Sequence, residues 1–314
     1  MVYSCNFKHY PPAYLIYSRL SQNTGCSLVL APCRLSYNPF HIYDIDSPHR
    51  PKKPFSIVIC SYGRSESLNA TLKSLLNQTE RNFEVILLTE KGNLSELRQR
   101  GLESSTGDIV TFIDDDVYCE PTWLRNITYA FQGDPKVLGI TGPTTITDEY
   151  RSNRDIFKYR VLKSIHDWLF LKGLRDIPSR LSSCGCPSMA SNDPDIEKFR
   201  RMECDYLEAC NMSIRRKEAL DAGGFDPIYT GTSEWCELDL ALKVGHKGTF
   251  LFLPEARLFH RPSVQGIYGA RLRTSHRWRN FKSFQEKWVK PSLLKYLYCF
   301  WVWAYLKMKG LRMI

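Results

Sequence analysis

The sequence feature that most constrains this chain is a short apolar run that ends in three consecutive carboxylates, Ile109-Val-Thr-Phe-Ile113 followed by Asp114-Asp-Asp116. Five residues rich in β-branched and aromatic types predict a buried strand, and the acidic residues then lie where that strand ends. Three adjacent like charges repel one another, so a bound cation stabilises the cluster. Carboxylate oxygens suit Mg²⁺ or Mn²⁺, whereas a solvated acidic turn is the alternative for an isolated triplet.

The segments around this strand alternate between strand and helix. Apolar runs at Phe55–Cys60 and Phe83–Leu88 predict two more strands, and the leucine spacing of Leu68–Leu76 and Leu94–Gly101 predicts two helices. Strand and helix alternating at these lengths predict an α/β fold with a mostly parallel sheet flanked by helices. In such sheets ligands bind at the carboxyl ends of the strands, which is where the triplet lies.

Composition and charge restrict the class of protein. The chain has 314 residues, of which 43% are hydrophobic, enough for a substantial core and unlike a disordered protein. The net charge is +10, and it is unevenly distributed. Residues 257–314 contain 13 Lys or Arg and one acid, Glu286, and so carry +12, whereas residues 1–256 carry −2. Eleven cysteines and no signal-peptide pattern predict reduced thiols and a cytoplasmic location. A zinc site remains an alternative for four of them, Cys184, Cys186, Cys204 and Cys210.

Several short motifs of this chain occur together, in order and spacing, in one known family. The chain resembles the family 2 inverting glycosyltransferases, which have the GT-A fold. The motifs of the first half are Ser56-Ile-Val-Ile-Cys-Ser-Tyr-Gly-Arg64, Leu72–Thr79, Phe83–Leu88, Leu97–Gly101, Thr106-Gly-Asp108 and Phe112–Asp116. Those of the second half are Tyr206–Arg216, Leu220–Asp226 and Glu234–Leu240. The resemblance implies a GT-A domain and a metal-dependent, hexosyltransferase-type enzyme that uses a nucleotide-diphosphate sugar as donor.

The resemblance also implies roles for individual residues on the donor side. The nucleotide would be bound by Ser61, Tyr62, Arg64, Glu90, Arg98, Asp114 and Asp115. Asp116 and Asp114 would hold Mg²⁺ or Mn²⁺, and His260 would approach the metal or the diphosphate unless it is structural. The family usually places an acidic residue against the base after the second strand, where this chain has Thr89 and then Glu90, so the donor base stays open.

The acceptor side needs a carboxylate that takes the proton from the attacking hydroxyl. The usual family pattern has a Glu-Asp pair at the positions of Cys236 and Glu237 in this chain. Glu237 is therefore the predicted catalytic base, with Asp239 as the second catalytic candidate and Glu234 as a further alternative. All three acids would also suit the first turn of a helix, where they favour the dipole. Trp235 either stacks on a sugar or packs in the core.

The chain divides into three predicted parts: a weakly structured leader and linker over residues 1–53, a GT-A domain over 54–262, and a basic, aromatic-rich extension over 263–314. The apolar run Tyr296–Leu306 is too short to span a bilayer, and Lys residues flank it. It predicts an interfacial helix in peripheral contact with the inner face of the cell membrane. The alternatives are packing on the catalytic domain or on a second copy. No nucleic-acid-binding motif accompanies the tail, so nucleic acid is not an expected partner.

The predicted function is transfer of a sugar, with inversion, from a nucleotide-diphosphate sugar to a hydroxyl of a glycan or lipid-linked acceptor, as in surface glycan, polysaccharide or glycolipid synthesis. Two rivals remain open. A catalytically silent GT-A-like protein would bind glycans or act as a scaffold. A nucleotidyltransferase would need a Gly-rich phosphate loop, whereas Ser61–Arg64 contains one glycine.

Overall fold

The computed structural model describes residues 27–30, 41–44, 52–146, 156–192, 198–262 and 274–311. The strands are β1 (Ser27–Leu30), β2 (His41–Asp44), β3 (Phe55–Cys60), β4 (Phe83–Leu88), β5 (Ile109–Ile113), β6 (Val117–Cys119), β7 (Val137–Thr141), β8 (Thr144–Ile146), β9 (Met202–Cys204), β10 (Asn211–Arg215), β11 (Thr249–Phe252) and β12 (Leu258–His260). The helices are α1 (Ser65–Leu76), α2 (Leu94–Ser104), α3 (Trp123–Gly133), α4 (Ile156–Phe170), α5 (Arg216–Asp221), α6 (Cys236–Gly245), α7 (Thr274–Trp288) and α8 (Leu293–Leu311).

Within these described residues, nine strands form one sheet in the order β2-β1-β4-β3-β5-β10-β7-β11-β9. The first five strands of that order run parallel. β10 lies antiparallel between β5 and β7, β11 is parallel to β7, and β9 is antiparallel to β11. The predicted α/β class, with a mostly parallel sheet flanked by helices, is confirmed.

Helices cover both faces of the sheet. Side chains alternate along each strand, so neighbouring residues of one strand are buried on opposite faces. In β3, Ile57 and Ile59 join the core under α1 and α3, whereas Val58 joins the core under α2, α5, α6 and α7. Trp123 of α3 is fully buried and donates its indole N–H to Asn211 over 3.0 Å, which confirms that it is a core residue. The sheet is thus the middle layer of three.

A second, three-stranded sheet adjoins the acidic triplet. Its order is β6-β12-β8, and β6 begins directly after Asp116. The antiparallel pairing of β12 with β6 places His260 opposite Val117. This pairing brings a residue from far along the chain next to the acidic triplet.

Two segments of the predicted leader take part in the main sheet. β1 pairs in parallel with β4, and β2 pairs in parallel with β1. At these two segments the expectation of a weakly structured leader is corrected. Strands of four residues have too little periodicity to be predicted, and they form here because the edge of β4 offers them unpaired backbone groups. The rest of the leader up to residue 51 lies outside the described residues.

The first helix of the predicted extension belongs to the core that surrounds the sheet. In α7, Phe284 is fully buried, and Asn280 accepts a hydrogen bond from the backbone N–H of Thr230 (3.0 Å) and donates one to its carbonyl (2.9 Å). α8 follows, and Lys295 caps the end of α7 by donating to the carbonyls of Gln285 and Val289, each over 2.8 Å. α7 therefore packs on the core of the main sheet, and α8 packs on α7.

Candidate active site

The three carboxylates follow β5 directly, in the turn that leads to β6. Asp115 is fully buried, and its Oδ2 accepts a hydrogen bond from Ser61 Oγ over 2.5 Å. Its Oδ1 lies 2.5 Å from a guanidinium nitrogen of Arg64. The structure directs the Asp115 carboxylate into the protein, so its contact with the donor stays a prediction that would require Ser61 and Arg64 to rearrange.

The environment of Asp115 affects its ionisation. Burial and the two neighbouring carboxylates raise its pKa to about 6, while the hydrogen bond from Ser61 and the charge of Arg64 act in the opposite direction. Arg64 also pairs with Asp116, at 2.9 Å from Oδ2. Ser61 and Arg64, in the turn after β3, therefore hold Asp115 and Asp116 in place, which is a supporting role that the sequence did not predict.

Three predicted residues form a cluster that can hold a metal ion. One ligand atom each from Asp114, Asp116 and His260 all lie within 4.8 Å of one another. His260 Nε2 lies 3.0 Å from Asp116 Oδ1, so the imidazole already points at the carboxylate. Two carboxylates and an imidazole fit Mn²⁺ well, and they fit Mg²⁺ less well because Mg²⁺ prefers oxygen ligands throughout.

Arg98 connects the carboxylate cluster to the start of α6. Its guanidinium lies 3.6 Å from Asp114 Oδ1, and another of its nitrogens donates to Cys236 Sγ over 3.4 Å. Cys236 in turn lies 3.5 Å from Glu237 Oε2. Arg98 is buried, so water only weakly screens the electrostatic interaction of its charge with these groups. The donor-side acids and the predicted base are thus electrostatically coupled through one arginine.

Glu237 is half-buried in the first turn of α6. Burial raises its pKa above the usual range for glutamate, and the positive charge of Arg98 offsets part of that increase. A carboxylate with a raised pKa is a stronger proton acceptor once ionised, as a general base requires.

The other two acids of this segment are held by α7. Asp239 is fully buried; Tyr229 (3.2 Å) and Trp288 (2.7 Å) donate to its Oδ1, and Lys243 and Lys287 form ion pairs with it. Glu234 pairs with Arg277 at 3.1 Å. Asp239, the second catalytic candidate, lies about 200° around the helix from Glu237. These contacts favour a structural role for it, and its catalytic role stays a prediction.

Three further predicted residues differ in their surroundings. Tyr62 is exposed at the end of β3, where a ligand can reach it. Glu90 forms an ion pair with Arg100, so its predicted contact with a donor base would require that pair to open. Trp235 packs edge-to-face on Phe281 with ring centroids 5.4 Å apart, which favours packing over sugar stacking.

One buried acid near the site had no predicted role. Glu208 Oε1 accepts hydrogen bonds from Ser191 (2.5 Å), Tyr206 (3.1 Å) and Ser179 (3.3 Å). Burial raises its pKa, the three hydroxyls lower it, and the negative charge of Glu237 raises it further. The signal in the sequence was a single acid inside the otherwise apolar run that begins at Tyr206.

Comparison with known proteins is informative for part of the chain. The model of the Glycosyl transferase family 2 matches residues 87–189, about a third of the chain, which include the acidic triplet but neither Glu237 nor His260. A glucosyl-dolichyl phosphate glucuronosyltransferase of Haloferax volcanii is 22% identical over 272 residues, which cover 75% of this chain and 75% of that protein. The predicted resemblance is confirmed.

Two further similarities are more distant. The polypeptide N-acetylgalactosaminyltransferase 5 of Rattus norvegicus is 23% identical over 216 residues, which cover 68% of this chain and 21% of the rat protein. The solved mannosyltransferase PcManGT of Pyrobaculum calidifontis, in complex with GDP-Man and Mn²⁺, superposes with a TM-score of 0.47 at 13% identity, covering 82% of this chain and 70% of that one. The chain thus spans only a fifth of the rat relative.

Proposed function

From the similarity of this chain to glycosyl transferase family 2, we propose that it is a GT-A glycosyltransferase that transfers a sugar, with inversion, from a nucleotide-diphosphate sugar to an acceptor hydroxyl. The observation that carries the proposal is the cluster of Asp114, Asp116 and His260 at the end of β5. This cluster and the exposed Tyr62 lie at the carboxyl ends of adjacent parallel strands, where α/β proteins bind nucleotides.

The donor side depends on charge. Asp114, Asp116 and His260 would hold Mn²⁺ or Mg²⁺, which supplies positive charge to the diphosphate as it leaves. Arg64 forms an ion pair with Asp116, which fixes the orientation of that carboxylate within the cluster. Arg98 is placed to balance the charge of Asp114. These residues orient the donor before the glycosidic bond breaks.

The acceptor side depends on Glu237. We assign it as the general base, which takes the proton from the acceptor hydroxyl while that oxygen attacks the anomeric carbon from the face opposite to the diphosphate. Its half-buried position and raised pKa suit this role. Asp239 and Glu234 are occupied by ion pairs with α7, which leaves Glu237 as the acid of this segment that faces Arg98.

The acceptor would be a glycan or a lipid-linked glycan in surface glycan, polysaccharide or glycolipid synthesis. The Haloferax volcanii relative is named for glucuronosyl transfer to glucosyl-dolichyl phosphate, which is a lipid-linked sugar. Among the described helices, none has the length and apolar character needed to cross a bilayer. The protein would contact the inner face of the cell membrane peripherally, through its basic extension.

The test is calorimetric titration of the full chain with UDP, GDP and dTDP, with and without Mn²⁺, repeated on Asp116→Asn. We expect one nucleotide to bind in a metal-dependent way and the variant to lose that binding, because the substitution removes a charged ligand. The nucleotide that binds identifies the donor class. If none of the three binds, the donor-site assignment is wrong and the catalytically silent alternative gains support.

A further inference from the structure

Helix α8 exposes an apolar stripe along its full described length. Leu293, Tyr296, Leu297, Phe300 and Trp303 recur at the spacing of one helix face, and Phe300 is 64% exposed. On the opposite face, Tyr298 and Leu306 are buried against the rest of the protein. Because the solvent side of a surface helix is normally polar, this stripe requires a partner.

Helix α4 has the same character and lies beside α8. Phe170 packs on Tyr298 and Trp301 of α8, with ring centroids 5.0 Å and 5.7 Å apart. The face of α4 turned away from that contact exposes Val161, Leu162, Ile165 and Trp168, and Trp168 is 77% exposed. The two stripes lie on neighbouring helices, and we refer to them together as the α4/α8 face.

The sequences of the two helices that carry the α4/α8 face are rich in basic residues. α8 contains no acidic residue, and residues 289–314 contain five basic residues and no acid. Residues 156–175 contain five basic residues and one acid, Asp167, which is buried and paired with Lys163 and His166. The described part of neither helix exposes a carboxylate.

We propose that the α4/α8 face docks on the interfacial layer of an anionic lipid bilayer. Exposed Trp and Tyr side chains beside aliphatic residues prefer the headgroup boundary, and basic residues around them bind anionic lipid. Lys307, near the ring of Trp303 at 6.0 Å, is placed to reach the headgroups while that ring inserts. This proposal rests on the peripheral membrane contact of the proposed function. It names the residues that make that contact and adds α4, a helix from the middle of the chain.

A second copy of this chain is the less suitable occupant. A symmetric dimer through the α4/α8 face would bring two surfaces of the same positive sign together, which costs free energy unless acids are interleaved. Nucleic acid would match the charge and the aromatic rings, but it would leave the aliphatic residues of both stripes, such as Leu293 and Val161, exposed to water. An anionic bilayer matches both the apolar character and the charge.

The experiment is cosedimentation of the full chain with vesicles of phosphatidylcholine alone or mixed with phosphatidylglycerol. The variants are Phe300→Ser with Trp303→Ser on α8, and Trp168→Ser on α4. The matched control is Tyr129→Ser, which removes an exposed aromatic side chain from α3. Metal-dependent nucleotide binding by each variant reports folding and separates failure of this proposal from failure of the proposed donor site.

We expect binding to the anionic vesicles that weakens with added salt and falls about tenfold for each aromatic side chain removed, because each buried ring contributes transfer free energy. The Tyr129→Ser control should bind like the native protein. The proposal is overturned if the native chain binds neither type of vesicle, or if the α8 double variant binds as well as the control. It is also overturned if light scattering finds a native dimer that the double variant converts to monomer, since the face would then hold a second copy.

Discussion

The indole nitrogen of Trp288 lies 2.7 Å from Oδ1 of Asp239, a hydrogen bond that ties α7 to α6. Because Asp239 is fully buried among Tyr229 and two lysines, its removal leaves polar groups unpaired in the interior. We predict that Asp239→Ala lowers the free energy of unfolding by about 3 kcal/mol or more. Urea denaturation followed by circular dichroism measures the change. Unchanged stability together with lost activity would return Asp239 to the list of catalytic residues.

Glu237→Gln should act on the reaction and not on the fold. The amide preserves the shape of the side chain but cannot accept the acceptor proton, so we expect kcat to fall by about 10²–10⁴-fold. Nucleotide binding and the free energy of unfolding should stay close to native values. Glu234→Gln is the matched control, because Glu234 pairs with Arg277. A loss of kcat confined to the control would show that the base is Glu234.

The pH dependence of kcat should report the raised pKa of Glu237. The base works only when ionised, so activity is lost as the pH falls through that pKa, and we expect this acid limb above the ordinary value of about 4.3. Arg98→Met removes the charge that lowers the pKa, so the limb should move to higher pH. Arg100→Met, on the same helix, should leave it in place. Profiles at saturating donor make the comparison, and a limb that moves down in Arg98→Met would contradict the assignment.

His260→Ala should weaken Mn²⁺ binding by about tenfold or more, since even residues that merely support a ligand cost that much when removed. The preference for Mn²⁺ over Mg²⁺ should shrink as well, because the imidazole is the ligand that favours Mn²⁺. Calorimetry with both metals in the presence of the donor nucleotide measures both effects. The exposed His246 gives the control, His246→Ala. Equal metal affinities in the two variants would show that His260 is structural.

The sequence predicted the strands of the first half well. The bounds of β3 and β4 agree with the prediction, because short apolar runs between turn residues have few other structures available. The sequence did not predict the position of β10. No local pattern in Asn211–Arg215 indicates that this strand lies antiparallel between β5 and β7. Pairing over such a separation is decided by the packing of the whole sheet.

The sequence also predicted only part of the candidate site, because some of its contacts join distant segments of the chain. The proximity of Asp114, Asp116 and His260 was implied by the resemblance, and the structure brings the three together. The burial of Asp115 depends on its contacts with Ser61 and Arg64. The separation of Asp239 from Glu237 follows from helix geometry and was available from periodicity. The pairing of α7 with α6 was not, because it depends on contacts between segments about fifty residues apart, such as Lys287 with Asp239.

The pairing of β5 with β10 has a consequence for synthesis of the chain. Thr111 and Ser213 share a hydrogen bond across 102 residues of sequence. At about 5–20 residues per second, β5 leaves the ribosome about 5–20 s before its partner strand exists. During that interval the nascent chain presents an apolar strand with an open edge, the kind of segment that pairs with other chains. The three carboxylates directly after β5 place like charges beside this edge, so Asp114 and Asp116, the carboxylates proposed to hold the metal, also oppose aggregation before the fold is complete.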